Sequence, residues 1–87
     1  MRPGISWTRR AEDGSKLQVN ARRVGGTWQF FWRTARFETW QPMPEPPLED
    51  WEHLLDGVRR RVPRRLFPPD EIDRVLKAMR ERFPDAG

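Results

Sequence analysis

The chain contains no cysteine and no tyrosine, and among its 87 residues there is a single histidine, His53. Without cysteine there is no disulfide framework, no thiolate zinc site, no iron–sulfur cluster and no thiol nucleophile. One imidazole excludes a His-rich metal centre and leaves any Ser-His-Asp arrangement with one available base, while the missing phenol removes a further proton donor. No apolar run approaches the roughly 20 residues of a membrane helix. The chain opens on a polar, alternating stretch instead of the apolar core of a leader segment. The expectation is a cytoplasmic protein with no metal, no cofactor and no membrane association. A chain this short buries only about 60% of the surface its unfolded form exposes, which argues for one domain over residues 1–87.

What the sequence does have is arginine and tryptophan. There are 17 basic against 13 acidic residues, a net charge of +4, and Lys16 and Lys77 are the only lysines. The excess is uneven: residues 1–41 carry 8 basic and 3 acidic groups, residues 42–87 carry 9 and 10. A basic first half points to an acidic partner, nucleic acid foremost.

Residues 5–37 alternate with period two and are rich in aromatic and β-branched side chains, the pattern of an antiparallel β-meander. Strands are expected at residues 5–11, 16–24 and 27–37. Gly25-Gly26 suits a two-residue hairpin turn, which pairs Val24 with Thr27 and sets Ala21 opposite Phe30 and Val19 opposite Trp32. The other hairpin is constrained by its apolar residues. A two-residue turn at Asp13-Gly14 would send the apolar sets of its strands to opposite faces, because one residue of register inverts the pleat. A three-residue loop, Glu12-Asp13-Gly14, with Gly14 in a left-handed bulge position instead pairs Trp7 with Val19 and Ile5 with Ala21.

These registers give an apolar face of Ile5, Trp7, Leu17, Val19, Ala21, Trp28, Phe30 and Trp32. The polar face carries Ser6, Thr8, Arg10, Lys16, Gln18, Asn20, Arg22, Gln29, Phe31 and Arg33. Alternation falters after Thr34, where a bulge or strand end is expected near Ala35. Phe37 and Trp40 then return to the apolar side, with room for a short fourth strand at residues 37–41.

Residues 42–47 form a Pro-rich connector, unable to be a helix or an inner strand. Two amphipathic stripes follow, Leu48, Trp51, Leu54, Leu55, Val58 and Val62, then Ile72, Val75, Leu76, Met79 and Phe83. They define helices over residues 48–62 and 69–83. Each follows a proline pair, with acids in its first turn and arginines in its last, in accord with the helix dipole. The two segments align without a gap at an offset of 21 residues, Leu55, Arg59, Arg61 and Pro63 recurring as Leu76, Arg80, Arg82 and Pro84. The linker at residues 63–68 joins Arg59 to Arg61 in a run of five arginines within seven residues.

The fold class read from these patterns is α+β: a three-stranded antiparallel β-meander with two C-terminal helices packed on one face. Catalysis has little support. His53 lies within helical reach of Glu49 and Asp56, but no motif places Ser6 or Ser15 as a nucleophile, and Gly25-Gly26 leads into a strand where a phosphate-cradling loop leads into a helix. Nucleic-acid binding ranks first, with DNA or RNA held by Arg10, Lys16, Arg22, Phe31 and Arg33 on the sheet and by Arg60, Arg64 and Arg65 at the linker. Guanidinium groups suit phosphates and guanine, amides suit adenine, and an exposed aromatic stacks on a base. A solvated sheet face with one stray Phe is the plain alternative. A protein-interaction or self-association module anchored by Trp28, Trp40 and Phe67 is the competing functional reading.

Overall fold

A computed structural model describes residues 4–85; residues 1–3, where the leader segment was sought, lie outside it. The architecture is α+β, with a four-stranded antiparallel sheet in the order β1-β2-β3-β4 followed by two helices. The strands are β1 (Ile5–Arg10), β2 (Lys16–Val24), β3 (Thr27–Arg33) and β4 (Gln41–Met43), and the helices are α1 (Leu48–Arg61) and α2 (Asp70–Arg82). The chain divides into two compact units, the sheet through Pro46 and the helical pair from Pro47.

Both hairpins have the expected registers. Gly25 and Gly26 take φ of 58° and 81°, and Val24 pairs with Thr27, Ala21 with Phe30 and Val19 with Trp32. At the first hairpin Gly14 takes φ of 87°, the Gly14 N–H donates to the Ala11 carbonyl and the Ala11 N–H donates to the Ser15 carbonyl. This is a type I turn closed by a glycine bulge, and it pairs Trp7 with Val19 and Ile5 with Ala21. The apolar face is therefore continuous across strands. Ile5, Val19, Ala21, Trp28 and Phe30 are buried, and Trp7 meets Phe30 edge to face with centroids 6.1 Å apart.

Beyond Arg33 the expectation needs correction. β3 ends there instead of reaching Phe37, and the chain turns through a bond from the Glu38 N–H to the Ala35 carbonyl and one from the Thr34 hydroxyl to Glu38. Phe37 does not return to the apolar side but is 97% exposed. The fourth strand begins at Gln41, where the expected one ends, and runs on through Pro42 and Met43 of the segment assigned to the connector, with Phe31 opposite Pro42. A proline is tolerated because β4 is an edge strand, where the missing N–H leaves no ladder bond unmade.

In the helical unit both helices start on proline, Pro47 and Pro69 standing at the N-caps. Arg82 lies over the ring of Trp51 at 4.8 Å, bringing the end of α2 to the start of α1, so the two helices run antiparallel. The 21-residue offset reappears as shared burial: Leu54 and Val75 are both fully buried, and so are the acids Asp50 and Glu71 in the two first turns. After α1 the Leu66 N–H reaches the Arg61 carbonyl and the Arg65 N–H the Val62 carbonyl, with Arg65 at φ of 61°. This is a Schellman ending with arginine at the position glycine normally fills.

Two stability predictions follow from this geometry. A Cβ on Gly4 would lie 2.5 Å from the Ala21 carbonyl oxygen, so Gly4→Ala forces the chain away from β2 and lowers stability by about 1–3 kcal/mol in urea denaturation. Arg65→Gly relieves a left-handed side chain and raises stability by about 1 kcal/mol in the same measurement. An unchanged midpoint for either variant contradicts the corresponding contact.

Candidate functional site on the polar sheet face

Five of the eight expected site residues, Arg10, Lys16, Arg22, Phe31 and Arg33, share the polar face of the sheet. Their positions follow from the pleat and the observed pairs. One row across the strands is Ser6, Asn20, Phe31 and Pro42; the next is Thr8, Gln18 and Arg33. Arg22 stands opposite Gln29, and Arg10 opposite Lys16 at the hairpin end.

The side chains are ordered by hydrogen bonds and ring contacts. Arg22 lies over the Phe31 ring at 4.7 Å and donates through Nε to Asn20 Oδ1 at 3.1 Å. Asn20, buried at 7% exposure, passes the chain on by donating from Nδ2 to Ser6 Oγ at 2.8 Å. Arg33 repeats the arrangement one row away: its Nε donates to Gln18 Oε1 at 2.7 Å, and its guanidinium lies 4.3 Å from the Trp40 ring centroid. Each stack of guanidinium on aromatic contributes about 0.5–1 kcal/mol where exposed.

Trp40, like Phe37, lies elsewhere than the sequence pattern implies. Expected on the apolar side, it lies instead against Arg33 on the polar side. The reason is register: β3 and β4 pair Trp32 with Gln41, and continuing that ladder by one residue brings Trp40 level with Arg33. Ser6, Trp7, Thr8, Gln18, Arg33 and Trp40 line a hollow of about 330 Å³. A second hollow of about 170 Å³, lined by Gln29, Phe30, Phe31, Pro42, Met43 and Pro44, lies at the β3–β4 end.

Among the described residues no carboxylate neutralises the charges of this face. Arg10, Lys16, Arg22 and Arg33 form no ion pair with any carboxylate among the described residues. Arg10 instead donates to the Gly14 carbonyl at 3.1 Å.

The remaining three expected residues belong to the helical unit. Arg60 is paired with Asp56 at 2.8 Å, an exposed ion pair one helical turn apart. Arg64 and Arg65 are exposed in the linker, where Arg65 serves the Schellman ending. The sheet unit and the helical unit thus each carry a basic zone. Of the aromatics proposed as interface anchors, Trp28 is buried in the apolar face, Trp40 is engaged by Arg33, and Phe67 is half-buried. The residue with the exposure such an anchor needs is Phe37. The described residues contain no group of three or more metal-ligating side chains, and no helix among them is long and apolar enough to cross a membrane.

Comparison of the chain with protein-family models, with curated proteins and with solved structures finds no match.

The hairpin tip that positions Arg10 and Lys16 has a titrating group. Asp13 Oδ1 accepts from the Ser15 hydroxyl at 2.6 Å and from the Ser15 N–H at 2.9 Å, and these bonds hold its carboxyl below the ordinary 3.8. A depressed folded-state pKa stabilises the tip above the ordinary value, and that contribution disappears as pH falls through the folded-state value. An NMR titration should place the Asp13 carboxyl below 3.8 and show Ser15→Ala moving it back upward. Identical titrations in the two proteins would rule out the Ser15 bond as the cause.

Proposed function

We propose that this protein is a small nucleic-acid-binding module that uses the basic polar face of its sheet and carries out no catalysis. The observation that carries the reading is the pair of guanidinium–aromatic stacks, Arg22 on Phe31 and Arg33 on Trp40, on a face whose four cations have no carboxylate partner among the described residues. Phosphates supply the missing countercharge, and planar side chains on an ordered sheet suit the faces of bases. Arg10 and Lys16 extend the basic strip to the hairpin end, while Arg59, Arg64 and Arg65 of the helical unit offer a second zone for the phosphate backbone. Cytoplasmic action belongs to the same reading.

Titration of a fluorescent single-stranded oligonucleotide at low salt tests this. Micromolar affinity that weakens steeply with added salt is expected, and Arg22→Ala combined with Arg33→Ala should weaken it by about tenfold or more while circular dichroism remains that of the folded chain. Absence of binding at micromolar protein refutes the reading.

A protein-interaction role is the second reading, and Phe37 supports it: a large aromatic at 97% exposure on a hydrogen-bonded turn. Light scattering over a concentration series distinguishes the self-association form. A mass that rises with concentration and falls back to monomer in Phe37→Ser favours it; a constant monomer mass excludes it.

A further inference from the structure

We propose that the hollow between β1, β2, β3 and Trp40 receives single unpaired bases and prefers those bearing a keto oxygen, thymine, uracil or guanine, over cytosine and adenine. The proposal rests on the nucleic-acid reading above and deepens it to a ligand class.

The argument begins with the arginines. A guanidinium carries only donors, so the Gln18 atom facing Arg33 Nε must be its oxygen, and the amide of Gln18 is left with its NH2 group. The same logic runs along the neighbouring row. Arg22 Nε commits the oxygen of Asn20, whose NH2 then donates to Ser6 Oγ, and the Ser6 hydroxyl keeps its hydrogen for another partner. Each arginine thereby relays its donor character outward through an amide.

The hollow is lined by the ends of these two relays, Gln18 and Ser6, together with Arg33 and Thr8, and no carboxylate lines it. The Gln18 NH2, the outer guanidinium N–H groups of Arg33 and the Ser6 and Thr8 hydroxyls all offer donors, while acceptor capacity is confined to spare lone pairs on Gln18 Oε1 and the two hydroxyl oxygens. Donors outnumber acceptors in this lining, which favours a ligand edge that brings acceptors.

Base edges differ in this respect. Guanine presents O6 and N7 as adjacent acceptors and thymine presents O4, whereas cytosine presents an amino donor at the corresponding place and adenine presents one beside N7. An amino group placed against the Gln18 NH2 meets donor with donor. Stacking selects for the unpaired state. The Arg33 guanidinium, backed by Trp40, offers a planar surface, and in a duplex the base faces are occupied by neighbouring bases. A volume of about 330 Å³ suits one nucleotide and not a duplex.

Fluorescence anisotropy of the intact chain at one low salt concentration, with oligo-dT, oligo-dC and the oligo-dT annealed to its complement, each of about twelve nucleotides, tests the proposal. Oligo-dT should bind about fivefold or more tightly than oligo-dC, and more tightly than the duplex. Cytosine is the informative comparison because it is a pyrimidine of the same ring size that carries an amino group where thymine carries O4. Gln18→Glu exchanges the NH2 for an acceptor; it should weaken binding to both strands and bring the dT-to-dC ratio to one or below. Equal affinity of the unmodified chain for dT and dC, or a duplex bound as well as the single strand, overturns the keto-base proposal and leaves the broader nucleic-acid reading standing. No binding to any of the three overturns both. The ratio measured on the unmodified chain decides the question even where Gln18→Glu does not fold.

Discussion

Glycine at positive φ in the two hairpins determines on which side of the sheet every residue from Ile5 to Arg33 lies. A strand pleats with period two, so the length of each turn leaves two alternatives that exchange all inward and outward side chains. Gly14 closes a three-residue loop by a bulge, and Gly25 with Gly26 closes a two-residue one. With these lengths Ile5, Ala21 and Phe30 fall in one buried row and Ser6, Asn20 and Phe31 in the row behind it. A slip of one residue at the first turn would bury Ser6 and Thr8 and expose Ile5 and Trp7. The apolar face and the cationic face are thus products of the same two backbone choices.

Polar order on the outer face has its own chemical direction. Amide side chains can present either end, and a face of Asn and Gln alone would have no fixed polarity. Placing an arginine next to each amide in the same sheet removes that freedom, because the arginine accepts nothing. Phe31 and Trp40 complete the arrangement by holding the two guanidinium planes flat. Rigidity here comes from side chains bridging neighbouring strands, and the buried amide of Asn20 ties β1 to β2 in the process.

The parts of the molecule legible in the sequence were those governed by a ladder or a helical period. Gly25-Gly26 and the apolar sets of residues 5–24 sufficed for the pairing of three strands, and the stripes from Leu48 and Ile72 located both helices to within a residue at each end. The stretch from Thr34 to Trp40 has neither period. There the side that a residue faces depends on how the turn at Ala35 and Glu38 folds, which is why Phe37 and Trp40 were assigned to the wrong environment and β4 was sought too early. The proline-rich composition of residues 42–47 also concealed β4, since an edge strand needs only alternate N–H groups. Asp50 and Glu71 escaped notice because acids in a first helical turn already have a sufficient reason to be there in the helix dipole, and their complete burial is a tertiary property.

Arg10 directly opposite Lys16 joins two like charges at the closing end of the first hairpin, a pairing that opposes strand association. Among the described residues neither side chain is paired with a carboxylate, so the repulsion is left to solvent and counterions. An anion seated between the two strands would remove that repulsion, so anion binding and hairpin closure are thermodynamically linked. The repulsion is strongest in dilute salt, where screening by ordinary counterions is least, and it fades as ionic strength rises.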